Sequence, residues 1–271
     1  MGADKDFREI KIMEERKEKE IEYYDERAKE SLENPKKAKK GDFEGFRADL
    51  LSSFRFCYQW IEKNARGKNF LDYGCGNGIH SIFPAKAGAK VVAIDLSEPS
   101  LILARQRAKK EGVEGIIQFI KMDCENLEFE NNCFDVVFDG GTFSSLDINK
   151  ALPEIARVLN PEGKLIGIET FGHNPFANLK RKINKLRKSR TGWAVEHIFS
   201  RKDLETAEKY FRKIEVNYFH IVSWIVFPFI NLPGAIIILR ILEKADAILA
   251  KIPGIRQWAF KVVFIFSEPK K

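Results

Sequence analysis

The stretch Asn69-Phe70-Leu71-Asp72-Tyr73-Gly74-Cys75-Gly76-Asn77-Gly78 decides the fold. Residues 69–73 read as a short apolar strand, and the glycines that follow let backbone N–H groups approach a ligand closely where the chain turns into a helix. The spacing is G-x-G-x-G. The dinucleotide fingerprint is G-x-G-x-x-G, which holds a pyrophosphate at a helix terminus, so the spacing argues against a nicotinamide dinucleotide. Asp72, immediately before the turn, argues the same way, because a carboxylate suits an amino group better than a phosphate. Alone, such a turn is also an ordinary tight connection.

Working outward, the pattern alternates. Apolar runs at 91–95, 116–122, 135–138 and 164–169 read as strands, with helical segments at 98–110 and 148–159 and breaks at Gly88, Gly112 and Pro161-Glu162-Gly163. Alternating strand and helix predicts a doubly wound, mostly parallel sheet with helices on both faces. Further strands are predicted at 214–221 and 260–266. Upstream, 7–32 reads as a charged helix, Asn34-Pro35 stops it, 36–41 is a basic linker and 43–63 a second helix. The expected organisation is a helical cap over 1–63 and one α/β domain over 64–271, with a basic region at 170–212 and an apolar insert at 223–257.

The strand tips carry the chemistry. Val91-Val92-Ala93-Ile94-Asp95 ends in an acid 17 residues after Gly78, placed to accept hydrogen bonds from both hydroxyls of a ribose. Its rival role as a helix cap falls better to Ser97. The third strand ends in Met122-Asp123-Cys124 and the fourth in Phe138-Asp139-Gly140-Gly141, both at the carboxyl edge, where open α/β sheets bind ligands. Asp123 could take an adenine amino group, with the Cys124 N–H donating to the ring; a solvated turn acid is the plainer role.

At this point the chain resembles the class I, Rossmann-like S-adenosylmethionine-dependent methyltransferases. The loop from Asp72 to Gly78 looks like their cofactor loop. Asp95, Asp123-Cys124, Phe134-Asp135-Val136-Val137 and Val158-Leu159-Asn160-Pro161-Glu162-Gly163-Lys164-Leu165 match the later motifs in order. The likeness spans about residues 67–170. It implies S-adenosylmethionine as cofactor, with Asp72, Gly74, Gly76 and Gly78 at its methionine part, Asp95 and Leu96 at the ribose, Asp123 and Cys124 at the adenine, and Asp139 at the neighbouring strand tip. It also implies a seven-stranded sheet with one antiparallel strand, met by 260–266. Tyr73 departs from the pattern, which prefers Leu, Ile or Val, and so does the insert, where a short hairpin is usual. Tyr23-Tyr24-Asp25 resembles the segment that closes over the cofactor in small-molecule members, which makes Tyr24 a cofactor contact; two interfacial tyrosines are an equal account.

The acceptor leaves fainter marks. His173 and His197 lie beyond the fifth strand. Loss of a hydroxyl proton favours an imidazole of near-neutral pKa, so both are candidate bases, although a structural role is commoner and in-line positioning alone can carry methyl transfer. His80 and His220 are read as a loop residue and a strand residue. Residues 180–190 hold seven basic side chains and no acid, which suits a solvated face, an anionic acceptor or acidic headgroups.

The insert is read as an apolar lid, a subunit interface or an element lying in a membrane surface. No charged residue occurs from 216 to 239, but Pro228, Pro233 and Gly234 fit a spanning helix poorly. The formal charge of +7 permits anionic partners and selects none. Four cysteines without a C-x-x-C pair, and no apolar leader at the start, point to a reduced cytoplasmic setting and no metal site.

The expected function is methyl transfer to a small or lipid-linked anionic acceptor, at oxygen before nitrogen or carbon, with docking on an anionic membrane as a further expectation. An RNA methyltransferase is the second reading, weakened because the fourth strand ends in Asp139-Gly140-Gly141-Thr142 and lacks the Asp-Pro-Pro-Tyr-like tetrapeptide of amino-methylating enzymes. A cofactor-binding module without catalysis is the third. The sequence leaves the oligomeric state open.

Overall fold

Alternating elements fold as their periodicity requires. The computed structural model describes residues 2–34, 50–174, 178, 193 and 197–271, with side chains from 14 onward. Helix α1 spans Gly2–Glu33 and α2 spans Ser52–Asn64. There follow β1 (Asn69–Tyr73), α3 (Ile82–Lys86), β2 (Lys90–Asp95), α4 (Glu98–Lys110), β3 (Ile117–Lys121), β4 (Phe134–Asp139), α5 (Ile148–Val158) and β5 (Leu159–Thr170). The chain ends with α6 (Arg201–Ala207), β6 (Phe211–Phe219), α7 (Ala235–Leu249), α8 (Pro253–Arg256) and β7 (Lys261–Pro269).

The seven strands form one sheet in the order β3-β2-β1-β4-β5-β7-β6. The first five are parallel, and β7 runs antiparallel to both β5 and β6. The doubly wound, Rossmann-like architecture is therefore as expected, with β7 as the reversed strand. Because β6 runs parallel to β5, its end at Phe219 lies on the same carboxyl edge as the tips of β1, β2, β3 and β4. The insert between β6 and β7 thus leaves the sheet on the edge that carries the ligand-binding tips.

Both faces of the sheet are covered. One core packs α5 and α6 under Tyr73, Val137, Leu165 and Phe264; the other packs α2, α3 and α4 under Phe70, Val91, Phe138 and Ile166. The second core changes the boundary expected at residue 63. Helix α2 buries Phe54, Cys57 and Ile61, spaced three and four residues apart on one face, so it closes the sheet as an integral layer. The expected basic linker at 36–41 and the start of the second helix lie outside the described residues. Helix α1 packs on α4 and reaches across the strand tips.

The apolar run after β6 does not continue as strand. His220 takes a left-handed φ of 60°, and the chain turns into a 3₁₀ segment, Ser223–Phe229, before α7. Among the described residues no helix is long and apolar enough to cross a membrane.

Candidate functional site

Three left-handed glycines shape the turn after β1, with φ of 70°, 52° and 71° at Gly74, Gly76 and Gly78. A Cβ on Gly74 would collide with Thr142 and one on Gly78 with Ala104, whereas one on Gly76 would meet nothing within 4 Å. Gly74 and Gly78 are thus demanded by packing, and Gly76 is demanded by its backbone while facing open space. The turn is laced to β2: Cys75 N–H donates to the Ile94 carbonyl at 2.8 Å, and Gly76 N–H to Asp95 Oδ2 at 2.8 Å. Asp95 Oδ1 accepts from Ser97 N–H at 2.8 Å. Burial raises the Asp95 pKa, these N–H groups restrain it, and the nearby Asp25 charge adds to the rise. Ser97 caps α4, as its sequence position implied, by accepting from Ser100 N–H at 3.2 Å.

The tips of β3 and β4 complete the floor. Tyr73, the departure from the family pattern, is buried, and its hydroxyl donates to the Cys124 carbonyl. It therefore ties β1 to the tip beyond β3, which an aliphatic side chain could not do. Asp123 accepts from Glu125 N–H at 2.8 Å and is paired at 2.6 Å with Lys17 of α1. Beside it, Arg16 pairs with the buried Glu125 at 2.5 Å. Asp139 is fully buried; Oδ1 accepts from Thr142 N–H at 2.8 Å, and Oδ2 has no hydrogen-bond partner among the described residues. Burial and the charge of Glu169 raise its pKa well above the carboxylate range, so Asp139 is held neutral.

Helix α1 roofs these tips. Beneath it lies a cleft of about 310 Å³ whose walls include Tyr23, Tyr24, Arg27, Gly74, Gly76 and His80. A smaller cavity of about 70 Å³, bounded by Ile21, Leu96, Asp123 and Cys124, adjoins it through Tyr24, Thr142 and Ser145. Of the residues expected at a cofactor, Tyr24, Gly74, Gly76, Leu96, Asp123 and Cys124 thus share one continuous groove. Gly78 packs behind the loop.

Asp72 is placed differently from what the resemblance implied. It lies buried under the loop, accepting from the Ser81 hydroxyl at 2.5 Å, and does not line the groove. Burial pushes its pKa up to about 7, against the Ser81 hydrogen bond, with the Asp95 charge adding to the rise. Asp139 likewise supports the floor from below instead of lining it.

The histidines exchange roles. His173 accepts from Arg201 N–H at 3.3 Å and packs on Phe171, with its pKa lowered by burial and by Arg201. His197 is exposed and stacked on Trp193 at 3.5 Å between ring centroids. Neither lines the cleft, because both belong to the segment beyond β5, which turns away towards α6. His80, read from sequence as a loop residue, does line it. Its Nδ1 lies 2.7 Å from the Tyr58 hydroxyl, and burial, with the charges of Lys261 and Arg107, lowers its pKa to about 4. Sequence reasoning also missed Arg27 and Lys17, whose only signal was their place one helical turn from Tyr23-Tyr24 and two turns before it. The basic run at 180–190 lies outside the described residues.

The groove suits S-adenosylmethionine. Gly76 leaves room for close backbone approach, acids stand at the ribose and adenine ends, and apolar walls from Ile21, Leu96 and Cys124 flank the flat base. Residues 71–167 match the family model described as a methyltransferase domain. The chain is 32% identical over 124 residues to a ribosomal protein L11 methyltransferase of Syntrophomonas wolfei, covering 45% of this chain and 39% of that protein. It is 35% identical over 127 residues to a demethylmenaquinone methyltransferase of Thermus thermophilus, covering 46% and 56%. The chain thus spans about two fifths to just over half the length of these curated relatives. In structure it is similar to a geranyl diphosphate C-methyltransferase from Streptomyces coelicolor, solved with Mg2+, geranyl diphosphate and S-adenosyl-L-homocysteine. The TM-score is 0.55 at 13% identity, covering 79% of this chain and 80% of that one. Strand order, glycine turn, acid-tipped strands and matched family model agree: the chain carries the domain of the class I, Rossmann-like, S-adenosylmethionine-dependent methyltransferase family.

Proposed function

We propose that the protein transfers a methyl group from S-adenosylmethionine to a small or lipid-linked acceptor, at an oxygen atom. The observation that carries this reading is the joining of the glycine turn, Tyr24 and His80 in one roofed cleft. The cofactor, when bound, supplies an electrophilic methyl group on a sulfonium. The chain's own residues do the rest. Gly74 and Gly76 permit close approach, α1 excludes water, and the groove fixes the direction from which an acceptor arrives. His80, neutral at physiological pH and braced by Tyr58, offers one ring nitrogen to an acceptor hydroxyl, to orient it and to take its proton. Arg27 supplies a cation to the lining that pairs with the carboxylate of the cofactor or with an anionic acceptor.

Two similar proteins are named for small organic acceptors, demethylmenaquinone and geranyl diphosphate, which supports that class over a macromolecule. The first is itself matched beside a ribosomal protein methyltransferase, so acceptor class is what the experiment must decide. Extracts of cells with and without the protein are compared by mass spectrometry for species heavier by one methylene. The expected product is in the small-molecule or lipid fraction, with the added methyl on oxygen. A product found only in RNA or protein overturns the reading. So does purified protein that binds S-adenosylhomocysteine yet turns over no acceptor recovered from the extract.

A further inference from the structure

The insert between β6 and β7 inverts the usual sorting of side chains. Its two acids, Glu243 and Asp246, are buried. Glu243 accepts from Ser52 N–H at 2.6 Å and pairs with Arg55 at 2.7 Å and Arg240 at 2.9 Å. Asp246 accepts from Val222 N–H at 2.7 Å. Meanwhile the aliphatic residues of α7 face outward. Ile237, Ile241 and Ile248 are 67%, 61% and 66% exposed, and with the exposed Lys244 they follow one another at steps of four, three and four residues. That spacing is a single stripe along the helix. It lies directly opposite the side on which Ala235, Leu239, Glu243 and Asp246 are buried. Phe229, Leu232, Ile252 and Trp258 extend the apolar surface beyond both ends of the helix, each at least 45% exposed.

An apolar face of this extent is not what a solvated helix shows, and its charges are of one sign. Lys244, Lys251 and Arg256 are exposed, and no exposed acid in the insert offsets them. That asymmetry selects among occupants. A second copy docked about a two-fold axis would set Lys244, in the middle of the stripe, near its own copy, with no acid from the insert between them. An acidic lipid surface meets the isoleucines with acyl chains and the lysines with headgroups. The 15 residues of α7 are too few to span a bilayer but enough to lie in its surface.

We propose that the α7 face is a docking surface for an anionic lipid bilayer, held by the isoleucine stripe and by Lys244 and Lys251. The insert leaves the sheet on the carboxyl edge, beside the groove, and the Asn174 side chain ties it to the segment after β5 by donating to the Trp258 carbonyl at 2.7 Å. Docking would therefore bring the edge that carries the groove to the membrane. The proposal is independent of the chemistry proposed above, because it concerns attachment and is read without turnover.

The test is flotation of the purified full chain with vesicles of phosphatidylcholine, with or without phosphatidylglycerol, at low and high salt. The expected result is binding to the phosphatidylglycerol vesicles that falls as salt rises, and at least tenfold weaker partitioning for the Ile237→Ser, Ile241→Ser double variant. For Lys244→Gln with Lys251→Gln the loss should appear mainly at low salt, at roughly fivefold per charge removed. These positions are exposed, so melting temperature and S-adenosylhomocysteine binding should stay as in the parent and show that the variants are folded. Absence of binding at low salt overturns the proposal. So does binding that survives both double variants, which would place attachment elsewhere in the chain. A dimer in sedimentation that dissociates on Ile237→Ser, Ile241→Ser assigns the face to a second copy and overturns it equally.

Discussion

Lys17 Nζ lies 2.6 Å from Asp123 Oδ2, joining the amino-terminal helix to the acid beyond β3 that borders the adenine-sized end of the groove. Burial would lower the Lys17 pKa, but Asp123, with Glu125 behind it, raises it overall. The acid expected to meet the cofactor base therefore also latches the roof above it. About a fifth of each side chain is exposed, so the pair contributes about 1 kcal/mol. Lys17→Gln should accordingly raise tryptic cleavage within α1 severalfold, and saturating S-adenosylhomocysteine should restore protection. Cleavage at the parent rate would mean that Arg16 and the Ser97–Asp25 contact hold the roof without Lys17.

The glycine turn separates binding from folding. Gly76→Ala adds a methyl group into open space and costs about 1 kcal/mol for a left-handed alanine, so the melting temperature should fall by only a few degrees. The same methyl group stands where a ligand must approach, and affinity for S-adenosylhomocysteine by calorimetry should drop at least tenfold. Gly74→Ala instead drives a Cβ into Thr142. It should lower stability markedly and yield poorly folded protein. Equal behaviour of the two variants would contradict the distinction between their environments.

The histidine that faces the cleft should carry the kinetic effect. His80→Ala is expected to lower turnover by ~10²-fold while S-adenosylhomocysteine affinity stays within a few-fold. Tyr58→Phe should give a smaller loss of the same kind. His173→Ala and His197→Ala should leave turnover within about twofold, since both rings are spent on Arg201 and Trp193. A large loss with His173→Ala, at unchanged melting temperature, would return the acceptor side to the segment beyond β5.

The strands were legible because their apolar runs sit between glycine and proline breaks, and the helix at Glu98–Lys110 because Ser97 caps it. The groove was legible as far as the turn and the strand tips reach, since Gly76, Asp95 and Asp123 have fixed places in the sheet. What lies above the sheet was not. Lys17 and Arg27 look like any other charges on a Lys- and Glu-rich helix, and only tertiary packing tells Arg16, which is buried, from its solvated neighbours. His80 was passed over because a loop position says nothing of which way a ring faces. Asp72 was read as a ligand contact, yet a residue in the last turn of a strand can point under the loop as easily as over it. The inward turn of Glu243 and Asp246 is likewise invisible in a linear pattern, although their spacing of three residues is compatible with one helix face.

Buried neutral histidines also set how the fold responds to acid. His80 and His220 both have pKa values lowered to about 4, chiefly by burial, against 6.5 for the free side chain. The unfolded chain therefore takes up protons first as pH falls. The stability these groups confer is complete above about pH 6.5 and is lost between there and about pH 4. Asp72 acts in the opposite sense: its pKa of about 7 against 3.8 gives a contribution that is complete below pH 3.8 and lost as pH rises towards 7. Two histidines against one carboxyl leave net destabilisation on acidification across this window. His220 can be isolated, because it lies outside the groove, between Ser53 at 3.0 Å and Ser223 at 2.9 Å. Its φ of 60° is one that asparagine tolerates. His220→Asn should be less stable than the parent at pH 7, having lost one of the two serine contacts, but its melting temperature should fall less between pH 6.5 and 4.5. Parallel curves for variant and parent would show that His220 does not titrate differently in the folded and unfolded chains.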